Sequence, residues 1–251
     1  MRKAYSFIII ASLTIITALT RVSAEPAVCA ATQTYSAIEP LKSQRSFKVL
    51  YGTSEDLEAK ITNHEAKCDI VISSDEKLPL ILIRSGLGDQ AHLHAFVRAP
   101  LVLWSVDPSL LDSKALAVSN KQLRSLAVPK AELTPAGYAA TQIVRRSDFP
   151  TEYLKGRIYR PDHEFQVLAM VESGNVQAGF LTKPLILGSD GMPKGSYWQV
   201  PRDNYPELDY YILLLNSTIP SKEATDLYTF FKDDPAVLRS FQRAGFDKPL
   251  H

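Results

Sequence analysis

Four groupings of side chains in this 251-residue chain have types and spacings that could do chemistry. Ser74 and Lys77, in CDIVISSDEK, match the S-x-x-K pair of penicillin-recognising enzymes, where a serine opening a helix meets a lysine one turn on. The companion S-D-N and K-T-G segments are missing, as is the G-x-S-x-G elbow of the α/β hydrolases, so an exported serine hydrolase built on Ser74 and Lys77 is a distant reading. His92 and His94, in AHLHAF, would share one face of a strand and could begin a metal site. No third ligand stands near them, and histidines hydrogen-bonded at a helix end are the plainer account. Cys29 and Cys68 form an even pair with no CxxC spacing, open to a disulfide or to two small buried thiols in neighbouring strands. No G-x-G-x-x-G or P-loop is present, so nucleotide binding has no motif to stand on.

The fourth grouping lies at helix starts. FKVLY is followed by Gly52-Thr53-Ser54 and a helical run, with Ser54 the natural N-cap. SLAVP is followed by Leu133-Thr134-Pro135-Ala136-Gly137, with Thr134 at the cap and Pro135 at the first helical position. The amides just inside such caps lack intrahelical partners and carry partial positive charge, so several of them around one hollow suit a small anion. Every α/β protein caps helices this way, so caps alone establish no site. Tyr197, Trp198, Tyr205, Tyr210 and Tyr211 straddle a loop that returns to a strand, and suit core and hinge packing better than a cleft wall.

Positioning these groups requires regular elements. Residues 27–32, 47–51, 68–74, 96–104, 125–129, 178–182 and 209–215 are β-rich runs bounded by turn residues, and read as strands. Between them, 54–65, 136–146, 163–174 and 222–234 carry apolar residues at helical spacing. Alternation of this kind predicts mostly parallel sheets covered by helices, with ligands at the carboxyl edge of the strands.

Composition sets the outer bounds. The chain is 45% hydrophobic and 22% charged, which excludes disorder, and it holds 28 Lys and Arg against 27 Asp and Glu. That balance lacks the basic footprint of nucleic-acid binding. Arg2 and Lys3 precede the apolar run from Phe7 to Leu19, which ends in Val22-Ser23-Ala24. This reads as a secretory signal, residues 1–24, because the run is too short for the roughly 20 residues of a membrane span.

With these residues assembled, the chain resembles the periplasmic molybdate-binding proteins of ABC importers, a branch of the type II solute-binding proteins. The resemblance is carried in order by VCAATQTYSAI (28–38), YGTSEDLEAKI (51–61), CDIVISSDEK (68–77), LAVPKAELTPAGYAATQIV (126–144), LAMVESGNVQAGFLT (168–182) and FFKDDPAVLRSFQRAGF (230–246). It implies a two-lobed α/β fold in which each lobe is a mostly parallel sheet flanked by helices. Lobe I would take residues 25–99 and 206–251, and lobe II residues 100–205. It implies capture of a small oxyanion, molybdate or tungstate first, with no catalysis, cofactor or metal, by a monomer in the periplasm that delivers to a membrane permease. By position it assigns ligand contact to Ser54 and to the Ala136 amide. Three positions depart from the family. Gln33 replaces a ligand serine, unless Thr32 or Thr34 serves through a one-residue slip. Thr182 replaces a tyrosine. Glu164 stands where the family has a small apolar residue offering only its N–H, so either its carboxylate points to solvent or the ligand is not molybdate; the three departures favour the alternative of a same-fold protein that binds a different small anion or serves as a sensor.

Overall fold

The apolar runs pair into two five-stranded sheets, seen in a computed structural model that describes residues 25–188, 191–216 and 221–249. The expected leader, residues 1–24, lies outside the described residues. The strands are β1 (Ala27–Ala31), β2 (Lys48–Gly52), β3 (Ile70–Ser73), β4 (Gly88–Arg98), β5 (Leu101–Ser105), β6 (Leu126–Ala127), β7 (Ile158–Tyr159), β8 (Ala178–Thr182), β9 (Ser196–Gln199) and β10 (Asp209–Leu215). The helices are α1 (Tyr35–Ile38), α2 (Ser54–Thr62), α3 (Lys77–Arg84), α4 (Leu116–Ser119), α5 (Pro135–Val144), α6 (Glu164–Glu172), α7 (Lys222–Asp233) and α8 (Pro235–Arg243). No helix among the described residues is long and apolar enough to cross a membrane.

The first sheet runs β2-β1-β3-β10-β4 and the second β7-β6-β8-β5-β9. Each is mixed, with four of its five strands pointing the same way. β1 pairs in parallel with β2 and β3, and β6 with β7 and β8, whereas β10 and β5 run antiparallel to both of their neighbours. The antiparallel strands are those next to the two crossings between sheets, where the chain enters a sheet from its far side. The parallel strands place their carboxyl ends, and the loops that follow, along one edge of each sheet.

Strand alternation builds cores on both faces of each sheet. In the first sheet Val28, Ile70, Ile72 and Ile212 meet Phe231 and Phe241 of α7 and α8, while Cys29, Val71 and Leu213 meet Leu57 and Leu82 of α2 and α3. In the second, Leu103 and Phe180 face the α5 side and Val102, Trp104 and Leu181 face Val167 and Val171 of α6. Cys29 and Cys68 form a disulfide, with Cα atoms 5.8 Å apart, that ties β1 to the segment entering β3.

Several expectations need correction. FVRAPLVLW is two strands in two sheets, broken at Ala99-Pro100, because Pro100 cannot donate to a ladder. His92 and His94 lie within β4, not at a helix end. They are exposed, their rings lie against Tyr228 at 6.0 and 6.3 Å, and among the described residues no group of three His, Cys, Asp or Glu forms a metal site. Trp198 stacks on Phe149 in the second core, and the Tyr205 hydroxyl accepts from the Leu101 amide at 3.1 Å beside the crossing. The crossings run side by side, joined by Ala99 N–H to Leu208 O at 3.0 Å. Arg98, 1% exposed, is held there by Asp209 at 2.9 Å and Glu207 at 2.5 Å.

Candidate functional site

The carboxyl ends of the parallel strands in both sheets open onto one cleft of about 50 Å³. Roughly 10 to 15 Å³ of such space holds one water, so the cleft has room for a guest of a few heavy atoms. Gln33, Ser54, Ala136, Glu164 and Thr182 all line it. Each reaches it from a different junction: after β1, at the start of α2, at the start of α5, at the start of α6 and at the end of β8.

Three helix N-termini therefore converge. In α2 the cap is Thr53, not Ser54: Thr53 Oγ1 accepts from Asp56 N–H at 3.1 Å, and Ser54 is the first helical residue. In α5, Thr134 Oγ1 accepts from Gly137 N–H at 2.9 Å and the ring of Pro135 removes the first donor, so the Ala136 amide has no partner within the turn. In α6 the cap residue His163 makes no side-chain cap bond. The cleft-facing ends of these helices carry partial positive charge, and no Lys or Arg stands among the described residues lining the cleft. A compact anion would be held there by neutral donors.

Gly137 explains how α5 can start where it does. A Cβ at this position would lie 2.3 Å from Lys130 O and 2.8 Å from Pro129 O, so only glycine lets the helix seat against the 129–130 backbone.

Two carboxylates complicate the site. The Ser54 hydroxyl, to which the resemblance assigns ligand contact, donates to Asp75 Oδ2, while Asp75 Oδ1 accepts from Leu78 N–H at 2.9 Å at the start of α3. Asp75 is thus a satisfied group that orients Ser54. Glu164 does not point to solvent. It is 4% exposed; its Oε1 accepts from Thr182 N–H at 2.6 Å, and its Oε2 accepts from Gln33 Nε2 across the cleft at 3.3 Å. Burial raises the Glu164 carboxyl above its ordinary range, and the bonds from Thr182 and Gln33 pull part of the way back. Tyr210, also lining the cleft, is raised well above its ordinary value by burial and then by the nearby Glu164 charge.

Thr182 is 2% exposed, and its hydroxyl stands close to Glu164 and Tyr210 without reaching hydrogen-bond geometry with either. A buried hydroxyl facing a cleft without a partner is a donor held in reserve. The alternative register fails at Thr34, whose hydroxyl is committed to Ala31 O at 2.7 Å, so Gln33 is the residue that faces the cleft.

Ser74 lines the cleft, but α3 begins at Lys77, so Ser74 sits in the preceding turn and the pair does not share a helix as the serine-enzyme pattern requires. Sequence reasoning missed Asp75, Thr53 as the cap and Tyr210 as a wall. The S-S-D run after β3 signalled a polar turn, but not that it folds back onto the start of α2.

A family model described as bacterial extracellular solute-binding protein matches residues 21–247. The molybdate-binding protein ModA of Rhodobacter capsulatus is 26% identical over 196 residues, 78% of this chain and 75% of the relative. ModA of Azotobacter vinelandii is 22% identical over 187 residues, 74% and 73% of the two chains. The solved Azotobacter vinelandii periplasmic molybdate-binding protein superposes with a TM-score of 0.77 at 24% identity, covering 90% of this chain and all of the other.

Proposed function

Because the chain belongs to the bacterial extracellular solute-binding proteins, we propose that it captures a small tetrahedral oxyanion between two lobes in the periplasm and delivers it to the membrane permease of an ABC importer. The observation that carries this reading is the convergence of the α2, α5 and α6 N-termini and the unpartnered Thr182 hydroxyl on one small cleft without Lys or Arg. Lobe I is residues 25–99 with 206–251 and lobe II residues 100–205. The protein acts as a monomer, without catalysis or cofactor, and closes by hinge motion at the paired crossings.

The energetics are sufficient. Hydrogen bonds to a charged guest contribute about 1.5 to 3 kcal/mol each. Four or five of them supply about 6 to 15 kcal/mol gross, and five to seven about 8 to 21, against the roughly 8 to 12 kcal/mol of micromolar to nanomolar affinity plus the ordering cost. Molybdate is the ligand named for the relatives, and molybdate or tungstate is the first guest to test. Glu164 favours a second reading, the same site with a different small anion. A buried carboxylate about 4 Å from a guest charge is repelled by roughly 4 kcal/mol per unit pair at an effective dielectric of about 20.

A thermal-shift scan of ligand-stripped protein against molybdate, tungstate, sulfate and phosphate tests the capture reading. A true ligand at 100 times its dissociation constant stabilises by about 2.7 kcal/mol. The reading fails if none of the four moves the transition.

A further inference from the structure

β4, 11 residues long, forms the outer edge of the first sheet beyond β10. The bonds of β10 show which backbone groups of β4 are used. Leu215 N–H donates to Asp69 O at 2.8 Å, in register with the β10–β3 ladder, so by alternation Ile212 turns its N–H and C=O towards β4. His94 lies opposite Ile212 and pairs with it, which leaves the N–H and C=O of Leu93 and Ala95 facing away from the sheet. Among the described residues no strand of either sheet covers them. The C-terminal segment reaches this edge at Arg98, where Asp247 exchanges backbone bonds of 2.9 and 2.8 Å with it. Native edges are commonly blunted by charge or proline, yet residues 90–97 hold no Lys, Arg, Asp, Glu or Pro.

Ala91-His92-Leu93-His94-Ala95 reads the same in both directions. Antiparallel pairing reverses one strand against the other, so a second copy laid along this edge about a two-fold axis at Leu93 meets its own sequence in register. Each Leu93 then bonds its counterpart through the outward backbone groups. His92 stands opposite the second copy's His94 at a position without ladder bonds, where Cβ atoms lie about 4.5 to 5.5 Å apart. His92 and His94 are exposed, share the face that carries Tyr228, and have no hydrogen-bond partner among the described residues. Two imidazoles are half of the tetrahedral set of a structural zinc site, and a second copy brings the other half to the same face. We propose that β4 is a metal-bridged self-association edge, at which a divalent cation of the zinc class joins two copies through His92 and His94 of each. Capture in the cleft needs one copy, and none of residues 88–97 lines the cleft, so the pair is a second state that the metal switches on.

The test is sedimentation velocity of the full chain, stripped with EDTA and then titrated with zinc chloride or, as control, magnesium chloride. Zinc should shift the wild type from the single-chain mass to twice that mass, with one ion held per two chains, and EDTA should reverse the shift. Magnesium, which takes oxygen ligands, should leave the single chain. The double variant His92→Ala with His94→Ala loses the ligands from an exposed surface and should stay single at every zinc concentration. Ala95→Pro keeps both histidines but removes an outward amide that the β10 ladder does not use, and should also lose the pairing. If Ala95→Pro does not fold, the double histidine variant decides. Zinc held by one chain without pairing, or pairing that survives in the double histidine variant or in folded Ala95→Pro, overturns the inference.

Discussion

Gly137→Ala should damage the cleft more than it damages the fold. The added Cβ would lie 2.3 Å from Lys130 O, whereas ordinary contact begins near 3.4 Å, so the start of α5 must retreat by about 1 Å. Overpacking of this kind costs roughly 1 to 3 kcal/mol, offset by the roughly 1 kcal/mol better helix propensity of alanine. A net loss of about 0 to 2 kcal/mol lowers the melting temperature by at most about 8 °C in a chain of this size. Binding should suffer more steeply. An amide moved back by about 1 Å passes from hydrogen-bond range to none, and losing one charge-assisted bond weakens affinity roughly 10- to 100-fold. Scanning fluorimetry and titration with whichever oxyanion binds the wild type measure the two effects separately. Thr134→Ala is the comparator: it removes the cap, about 1 kcal/mol, without pushing the helix, so its affinity should fall far less. Wild-type affinity in Gly137→Ala would refute the use of the Ala136 amide, and a melting temperature above the wild-type value would refute the close seat of α5.

Three further outcomes are expected. Arg98→Met leaves Glu207 and Asp209 without the cation at the crossings and should lower unfolding free energy in urea by about 3 kcal/mol; a loss below about 1 kcal/mol would mean that the buried pairing contributes little. Replacing Cys29 and Cys68 together by alanine opens a cross-link spanning 39 residues and should cost about 2 to 4 kcal/mol, while unreduced wild type should show no titratable thiol; one free thiol per cysteine would contradict the bridge. Because burial raises the Glu164 carboxyl, the native protein keeps this proton where the unfolded chain has released it, so stability from this group is lost as pH rises above about 4.5 towards the raised native value. The melting temperature of Glu164→Gln minus that of the wild type should therefore grow from pH 4.5 towards neutrality, and a difference flat across that range would contradict the raised value.

Much of this fold could be read from strands whose apolar run is long and bounded, such as β8 and β10, and from helices with clear caps, such as α5. Other parts were hidden by competing signals. KLPLILIR forms α3, but its continuous apolar character and Pro79 obscured the helical period. β4 carries polar residues because it is the edge of its sheet, so AHLHAF lacked the alternation of a half-buried strand. β6 falls within the run 125–129 that reads as a strand, whereas β7, two residues paired in parallel with β6, is too short to leave a pattern. In the cleft, the helix starts at Ser54 and Ala136 were visible through their cap residues. The bonds between distant segments, Glu164 with Thr182 and Gln33, and Ser54 with Asp75, were not, since one-dimensional spacing says nothing about which junctions meet across two sheets.

The account rests on an anion lying among three helix starts. Crystals soaked with arsenate and, separately, with tungstate, and measured at their absorption edges, locate such an ion directly. The expected result is a single anomalous peak per chain in the cleft, with oxygens about 2.7 to 3.1 Å from the Ala136 amide and the Thr182 hydroxyl. Crystals that bind the ion only on outer surfaces, with the cleft unvisited, would contradict it.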